Sequence, residues 1–115
     1  MTDYQATASG YRRAADRDNR RARRDAQQAA ETYAAAASVA RSAAWLTGRP
    51  DLWEDNWTPA RLEANVATWE RLGDTYLRMS WRATESARFY RRLARTYDDM
   101  GAIRAQRASG ELARP

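Results

Sequence analysis

Apolar side chains recur every seven residues along the second half of the chain. One line of them contains Leu62, Trp69, Tyr76, Ala83, Tyr90 and Tyr97, and a companion line contains Leu72, Met79, Leu93 and Met100, with Asn65 and Ser86 as polar members. Paired lines with this period are the a and d positions of a helix that packs along its length on another helix. The second half therefore predicts one long helix with a coiled-coil-like seam.

The first half shows the same period in alanine. The repeating positions are Ala8, Ala15, Ala22, Ala29, Ala36 and Ala43. Alanine is the strongest helix former, and no proline interrupts residues 2–46. The first half therefore predicts a second long helix, whose packing face is an alanine-rich seam.

The break between the helices is marked by two prolines, Pro50 and Pro59. Gly48 is typical of a helix end, and Thr58 followed by Pro59 is typical of a helix start. We predict an all-α fold, a long antiparallel helical hairpin that forms a single domain. Its predicted parts are a helix over about residues 3–46, a Trp/Pro turn over 47–58, a helix over about 59–108 and a short tail over 109–115, within residues 1–115.

The two seams can be placed in register. In an antiparallel pair, each alanine of the first helix faces one member of the line that begins at Leu62. The predicted pairs run from Ala43 opposite Leu62 to Ala8 opposite Tyr97, and the centre of the turn then falls between Leu52 and Trp53. Small residues opposite large ones fill the space between two helices efficiently.

A further line of small residues follows the second helix and contains Val66, Gly73, Ser80, Ala87, Ala94 and Gly101. The first helix is also apolar on nearly all sides over residues 26–46. Because a single hairpin does not cover so wide an apolar surface, we expect a homo-oligomer, most simply a dimer that forms a four-helix bundle. The alternatives are a monomer with exposed alanines and a third short helix over about 101–112 that covers the stripe.

Charge changes this picture because all 20 basic residues are arginine and their distribution is uneven. The folded-back register brings two arginine-rich stretches together, while acidic residues are in excess around the turn. The predicted site for an anionic partner contains Arg12, Arg13, Arg17, Arg20, Arg21, Arg23, Arg24, Arg78, Trp81, Arg82, Arg88, Arg91, Arg92 and Arg95. Nucleic acid is the first candidate, a charged face that meets only solvent the second, and an acidic protein the third.

Aromatic residues add two further hypotheses. Trp81 lies off the packing lines among arginines, so it is expected either to stack on a base or a partner protein, or to be buried between copies. The stretch 45–59, which includes the turn, holds three of the 5 tryptophans, Trp45, Trp53 and Trp57. They are expected either to cap the open end of the hairpin or to dock a partner, since tryptophan dominates many protein interfaces.

Several classes of function are excluded or disfavoured by composition. The chain has no cysteine and no histidine, so the common zinc sites and Cys or His catalysis are excluded. No Gly-rich phosphate loop is present, and adjacent carboxylates on a helix point in different directions. We expect neither an enzyme, a metal site or a cofactor, nor a small-molecule substrate. With no apolar run of membrane-spanning length, we expect a cytoplasmic protein with no membrane partner.

The leading hypothesis is a non-catalytic, oligomeric helical protein whose arginine-rich half contacts nucleic acid in an accessory or regulatory role. The alternative is a protein-interaction module, such as a scaffold, adaptor or inhibitor. Such a module would bind an acidic protein surface through its arginines or dock a partner through the Trp-rich turn.

Overall fold

The computed structural model describes the backbone of residues 3–113 and the side chains of residues 3–110. It confirms an all-α helical hairpin. The helix α1 spans Asp3–Thr47, a short 3-10 helix spans Pro50–Leu52, and the helix α2 spans Pro59–Ala113. Within the described residues, no helix is long and apolar enough to cross a membrane.

The second helix extends further than the sequence predicted. It continues to Ala113, so the expected tail is wrong for residues 109–113, while residues 114–115 lie outside the described part. A single glycine such as Gly110 weakens a helix by about 1 kcal/mol, which its strong helix-forming neighbours offset. Because α2 also runs without interruption through Gly101, the alternative of a separate third helix is wrong.

Contacts divide the chain into two compact units, and both helices contribute to each of them. The terminal unit contains Met1–Ala22 and Arg82–Pro115, and the turn unit contains Arg23–Trp81. In each unit α1 and α2 pack against each other.

Two lines of α1 are buried in the seam. The first is the predicted alanine line, in which all six alanines from Ala8 to Ala43 are buried. The second was not predicted and contains Tyr4, Tyr11, Asp18, Asp25, Thr32, Val39 and Leu46, all buried or half-buried. Its three central members are polar, which is why apolar periodicity alone did not reveal it.

On α2 the line that begins at Leu62 is part of the seam, as predicted, although Trp69 within it is 39% exposed. The second seam line is different from the predicted one. The small-residue line is buried or half-buried inside the hairpin, whereas Leu72, Met79 and Met100 of the predicted companion line are exposed. The interpretation of the small-residue line as a surface for a further helix is therefore wrong, because α1 already covers it.

Side-chain size explains this choice of seam. In the terminal unit, Tyr4 and Tyr11 of α1 lie against α2, and a Cβ at Gly101 would be only 3.6 Å from that of Tyr4. The Tyr11 ring stacks on Tyr90, with 5.9 Å between the ring centroids. Tyr4 of α1 thus meets a glycine of α2, and the tyrosines of the two helices also pack against one another. Leucine or methionine in the small-residue line would keep the helices apart.

The turn unit has its own small apolar cluster of Ala43, Leu46 and Leu62, with Val39 packed against it. The predicted pairing of Ala43 with Leu62 is therefore observed. At the start of α2, the backbone N–H of Arg61 donates to the Thr58 hydroxyl over 3.3 Å. Thr58 is thus the N-cap and Pro59 the first helical residue, as the sequence predicted.

Candidate functional site

The positive charge of the protein is concentrated in the terminal unit. Its sequence contains 13 arginines and 7 acidic residues, a formal charge of +6. The turn unit contains 7 arginines and 8 acidic residues, a formal charge of −1. The two values add to the +5 of the whole chain. A unit this basic attracts anionic partners over distances of about one Debye length.

All of the predicted site arginines are exposed. In the terminal unit, Arg12 pairs with Asp98 across the helices, and Arg88 pairs with Glu85 at 2.9 Å. Among the described residues, the other site arginines of this unit have no hydrogen bond or ion pair, and they are Arg13, Arg17, Arg20, Arg21, Arg82, Arg91, Arg92 and Arg95. Their guanidinium groups are therefore available to an external anion.

The terminal unit distributes these arginines around its surface. Arg13, Arg17 and Arg20 follow one another at four- and three-residue spacing on the side of α1 opposite its buried lines. By the same argument, Arg88 and Arg92 lie on the side of α2 that faces away from α1. One flat partner does not reach both outward sides at once.

One groove does bring arginines of both helices together. It has a volume of about 370 Å³ and is lined by Arg12, Ala15, Asp16, Arg91, Ala94, Arg95 and Asp98. The two alanines, Ala15 and Ala94, are buried members of the seam. Asp98 holds Arg12 at the groove through their ion pair. Three guanidinium groups and two carboxylates give the groove a formal charge of +1.

Guanidinium groups arranged in this way can fork onto phosphate or carboxylate oxygens, and they remain charged at any physiological pH. The sequence predicted all three groove arginines but neither of the two aspartates. Asp98 lies in the sequence beside Asp99, and only the contact across the helices distinguishes it.

The remaining members of the predicted site belong to the turn unit. They are Arg23, Arg24, Arg78 and Trp81. Arg78 donates to the Thr75 hydroxyl over 3.3 Å on its own helix. Trp81 is 66% exposed, so the hairpin itself does not bury it.

The three tryptophans of the turn have different environments. The Trp53 indole N–H donates to the backbone carbonyl of Leu46 over 2.7 Å, which satisfies a carbonyl at the end of α1. Trp45 and Trp57 are more than half exposed, and the Arg49 guanidinium lies 4.4 Å from the centre of the Trp45 ring. The capping interpretation thus fits Trp53, whereas the docking interpretation stays open for the other two.

Buried polar groups in the seam were missed at the sequence level. The Ser86 hydroxyl donates to Asp18 Oδ2 over 2.6 Å in the terminal unit. In the turn unit, Oδ2 of the buried Asp25 has no hydrogen-bond partner among the described residues. Both aspartates continue the seven-residue line through Tyr4 and Tyr11, and that spacing was the signal available in the sequence.

Among the described residues, no group of three or more Asp or Glu side chains is placed to hold a metal ion. Comparisons with protein-family models, curated proteins and solved structures found no match to this chain.

Proposed function

We propose that this chain is a non-catalytic binding protein whose terminal unit contacts the phosphate backbone of nucleic acid. One observation carries the proposal: Arg12, Arg91 and Arg95, from both helices, converge on one groove of a unit with a formal charge of +6. Further arginines without a partner among the described residues lie around it. We expect little sequence specificity, because contacts to phosphate carry no base information.

Nucleic acid is favoured over an acidic protein by the distribution of charge. The arginines cover several sides of the terminal unit and are not gathered in one patch with an apolar centre, as a protein interface would have. A long polyanion that bends or wraps can use such a distribution, since each phosphate contact releases counterions. A cytoplasmic, accessory or regulatory role stays a prediction from the sequence.

The central experiment is fluorescence anisotropy with labelled single-stranded and double-stranded oligonucleotides over a series of salt concentrations. The logarithm of the binding constant should fall linearly with the logarithm of salt, with a slope of about 0.9 for each phosphate contacted on a duplex. Absence of binding at low salt would contradict the proposal. Binding of an acidic protein with no binding of either oligonucleotide would favour the protein-interaction alternative.

Two variants with equal charge test the position of the contact. Arg91→Ala with Arg95→Ala removes two groove arginines, and Arg13→Ala with Arg17→Ala removes two outward arginines from the same unit. None of the four has an ion pair among the described residues, so both variants should fold. The groove variant should reduce the salt slope by about two, and the outward variant should reduce it less. Equal losses would contradict the groove as the centre of binding.

Misfolding weakens binding, so a substitution that is expected to tighten binding tests the contact independently of folding. Asp16 lines the groove, and among the described residues it has no ion pair. Asp16→Asn keeps the shape of the side chain and removes one negative charge, so oligonucleotide binding should become tighter at the same salt. Weaker or unchanged binding would contradict a phosphate contact at this groove.

A further inference from the structure

A pocket in the turn unit lies outside the proposed nucleic-acid contact. Its volume is about 370 Å³, and its lining residues are Ser38, Arg41, Ser42, Trp45, Leu46 and Trp57. Trp45 is 52% exposed and Trp57 is 57% exposed. The pocket therefore offers two exposed indole rings, one of which also contacts Arg49, together with an apolar base and the Arg41 cation.

Packing within the hairpin buries Leu46 and places Arg49 over the Trp45 ring, but it leaves some polar groups of the pocket lining without partners in the described part of the chain. Trp53 caps the end of α1, but the indole N–H groups of Trp45 and Trp57 make no hydrogen bond among the described residues. The Arg41 guanidinium has no hydrogen bond or ion pair there either. Exposed apolar surface with tryptophan and arginine is typical of protein interaction sites, and this pocket is complementary to an apolar side chain that is flanked by a carboxylate.

The turn of the same unit has the complementary chemistry. Leu52, at the end of the 3-10 helix Pro50–Leu52, is 46% exposed and does not line the pocket of its own chain. Asp51, Glu54 and Asp55 stand beside it in the sequence and are exposed. None of these carboxylates has an ion pair among the described residues.

We propose that two copies of this chain dimerise through their turn units, with Leu52 of each copy inserted between Trp45 and Trp57 of the other. Asp51 and Glu54 then lie against Arg41 of the opposite copy. Because pocket and turn are parts of one unit, a two-fold axis forms both contacts together, as closed dimers require. The occupant is a second copy since the turn supplies both the apolar side chain and the carboxylates that the pocket lacks.

This interface replaces the small-residue line as the basis for self-association. It uses only the turn unit, so it does not depend on the nucleic-acid proposal for the terminal unit. Its area is limited to a turn and the end of one helix, so the dimer is expected to dissociate on dilution.

A charge-swap experiment tests the reciprocal contact. The Arg41→Glu variant and the Asp51→Arg/Glu54→Arg variant should each sediment as monomers at concentrations where the wild type is a dimer, because each places like charges together at both contacts. An equimolar mixture of the two variants should sediment as a heterodimer. In that mixture, the carboxylate introduced into the pocket of one chain meets the arginine-bearing turn of the other, and the second contact keeps its native charges.

Exposed apolar positions provide matched controls. Leu52→Ala should weaken the dimer at least tenfold, whereas Leu77→Ala, which alters another exposed leucine of the turn unit, should leave it unchanged. Far-UV circular dichroism should be the same for both variants. A wild type that stays monomeric at high concentration overturns the proposal. So does a dimer that resists all of these changes, or a variant mixture that fails to associate.

Discussion

Gly73 of α2 lies directly against the aromatic ring of Tyr33 on α1. A Cβ at position 73 would come within 2.7 Å of Tyr33 Cε1, closer than real Cβ contacts. The same tyrosine donates a hydrogen bond from its hydroxyl to Asp74, the next residue of α2. The Tyr33 side chain thus joins the two helices of the turn unit through a packing contact and a hydrogen bond.

Gly73→Ala is expected to destabilise the protein although alanine favours helix. The helix-propensity gain is about 1 kcal/mol, whereas an extra carbon in a tight contact typically costs about 1–3 kcal/mol. The net effect should be a loss of up to about 2 kcal/mol, with a lower midpoint in urea. Equilibrium unfolding followed by circular dichroism provides the measurement.

Gly10→Ala is the matched control for this substitution. A Cβ there would lie 3.8 Å from Nη2 of Arg13, an ordinary contact, so only the propensity gain of about 1 kcal/mol remains. The two substitutions should therefore shift stability in opposite directions. Equal stabilisation by both would show that the Tyr33 ring yields freely.

Size complementarity also explains how much of the fold the sequence revealed. The alanine line and its pairing with the line from Leu62 followed from periodicity, because small and large residues alternate across one interface. Apolar character alone then favoured Leu72 and Met79 as the second buried line of α2. Tyr4 and Tyr33 on α1 instead require small residues opposite them on α2, namely Gly101 and Gly73. The pattern of α2 alone does not show which of its lines faces these tyrosines.

The candidate site shows the same limit. The sequence predicted a site of clustered arginines, and all of these arginines are exposed. Which arginines converge depended on the side of each helix that is buried, so the groove between Arg12 and Arg91 emerged only with the packing. The roles of Trp53 and Trp57 were also inseparable in sequence, because a single hydrogen bond to Leu46 distinguishes them.

The Tyr33 hydroxyl should make stability depend on alkaline pH. Its hydrogen bond to Asp74 is the main cause that raises the pKa of Tyr33 above its ordinary value, and desolvation and the Asp74 charge add to it. A raised pKa means that the folded state holds the proton more tightly than the unfolded state. The stabilisation is complete below about pH 10 and is lost as pH rises through the folded-state pKa.

Tyr33→Phe tests this dependence. The variant lacks the hydroxyl, so it should be less stable than the wild type at neutral pH. The difference between the two should shrink above about pH 10 in urea unfolding series. A constant difference across that range would contradict a hydrogen bond that requires the protonated phenol.

Substitution of two buried aspartates on one line of α1 should change the stability of the protein in opposite directions. Asp25 Oδ2 lacks a hydrogen-bond partner among the described residues, so Asp25→Ala relieves an unsatisfied buried oxygen and should stabilise the protein by about 1 kcal/mol or more. Asp18 accepts a hydrogen bond from Ser86, so Asp18→Ala leaves that hydroxyl unpaired and should cost about 1 kcal/mol. Thermal unfolding of both variants checks the sign. Destabilisation by Asp25→Ala would show that its carboxylate has a stabilising role in the seam.

The end of α1 provides the last test, in which two tryptophans of one turn are compared. Trp53→Phe keeps an aromatic ring but removes the donor to the Leu46 carbonyl, which also accepts from the Arg49 N–H over 2.9 Å. The loss should be about 1 kcal/mol, since the carbonyl keeps one partner.

Trp57→Phe removes an indole N–H that makes no hydrogen bond among the described residues, so stability should be nearly unchanged. Both variants should be unfolded in urea at a concentration low enough to exclude association, because Trp57 also lines the proposed dimer pocket. Equal losses in the two variants would mean that ring packing stabilises this turn and that the Trp53 cap contributes little. A loss confined to Trp53→Phe separates the tryptophan that holds the turn from those that remain available to a second copy.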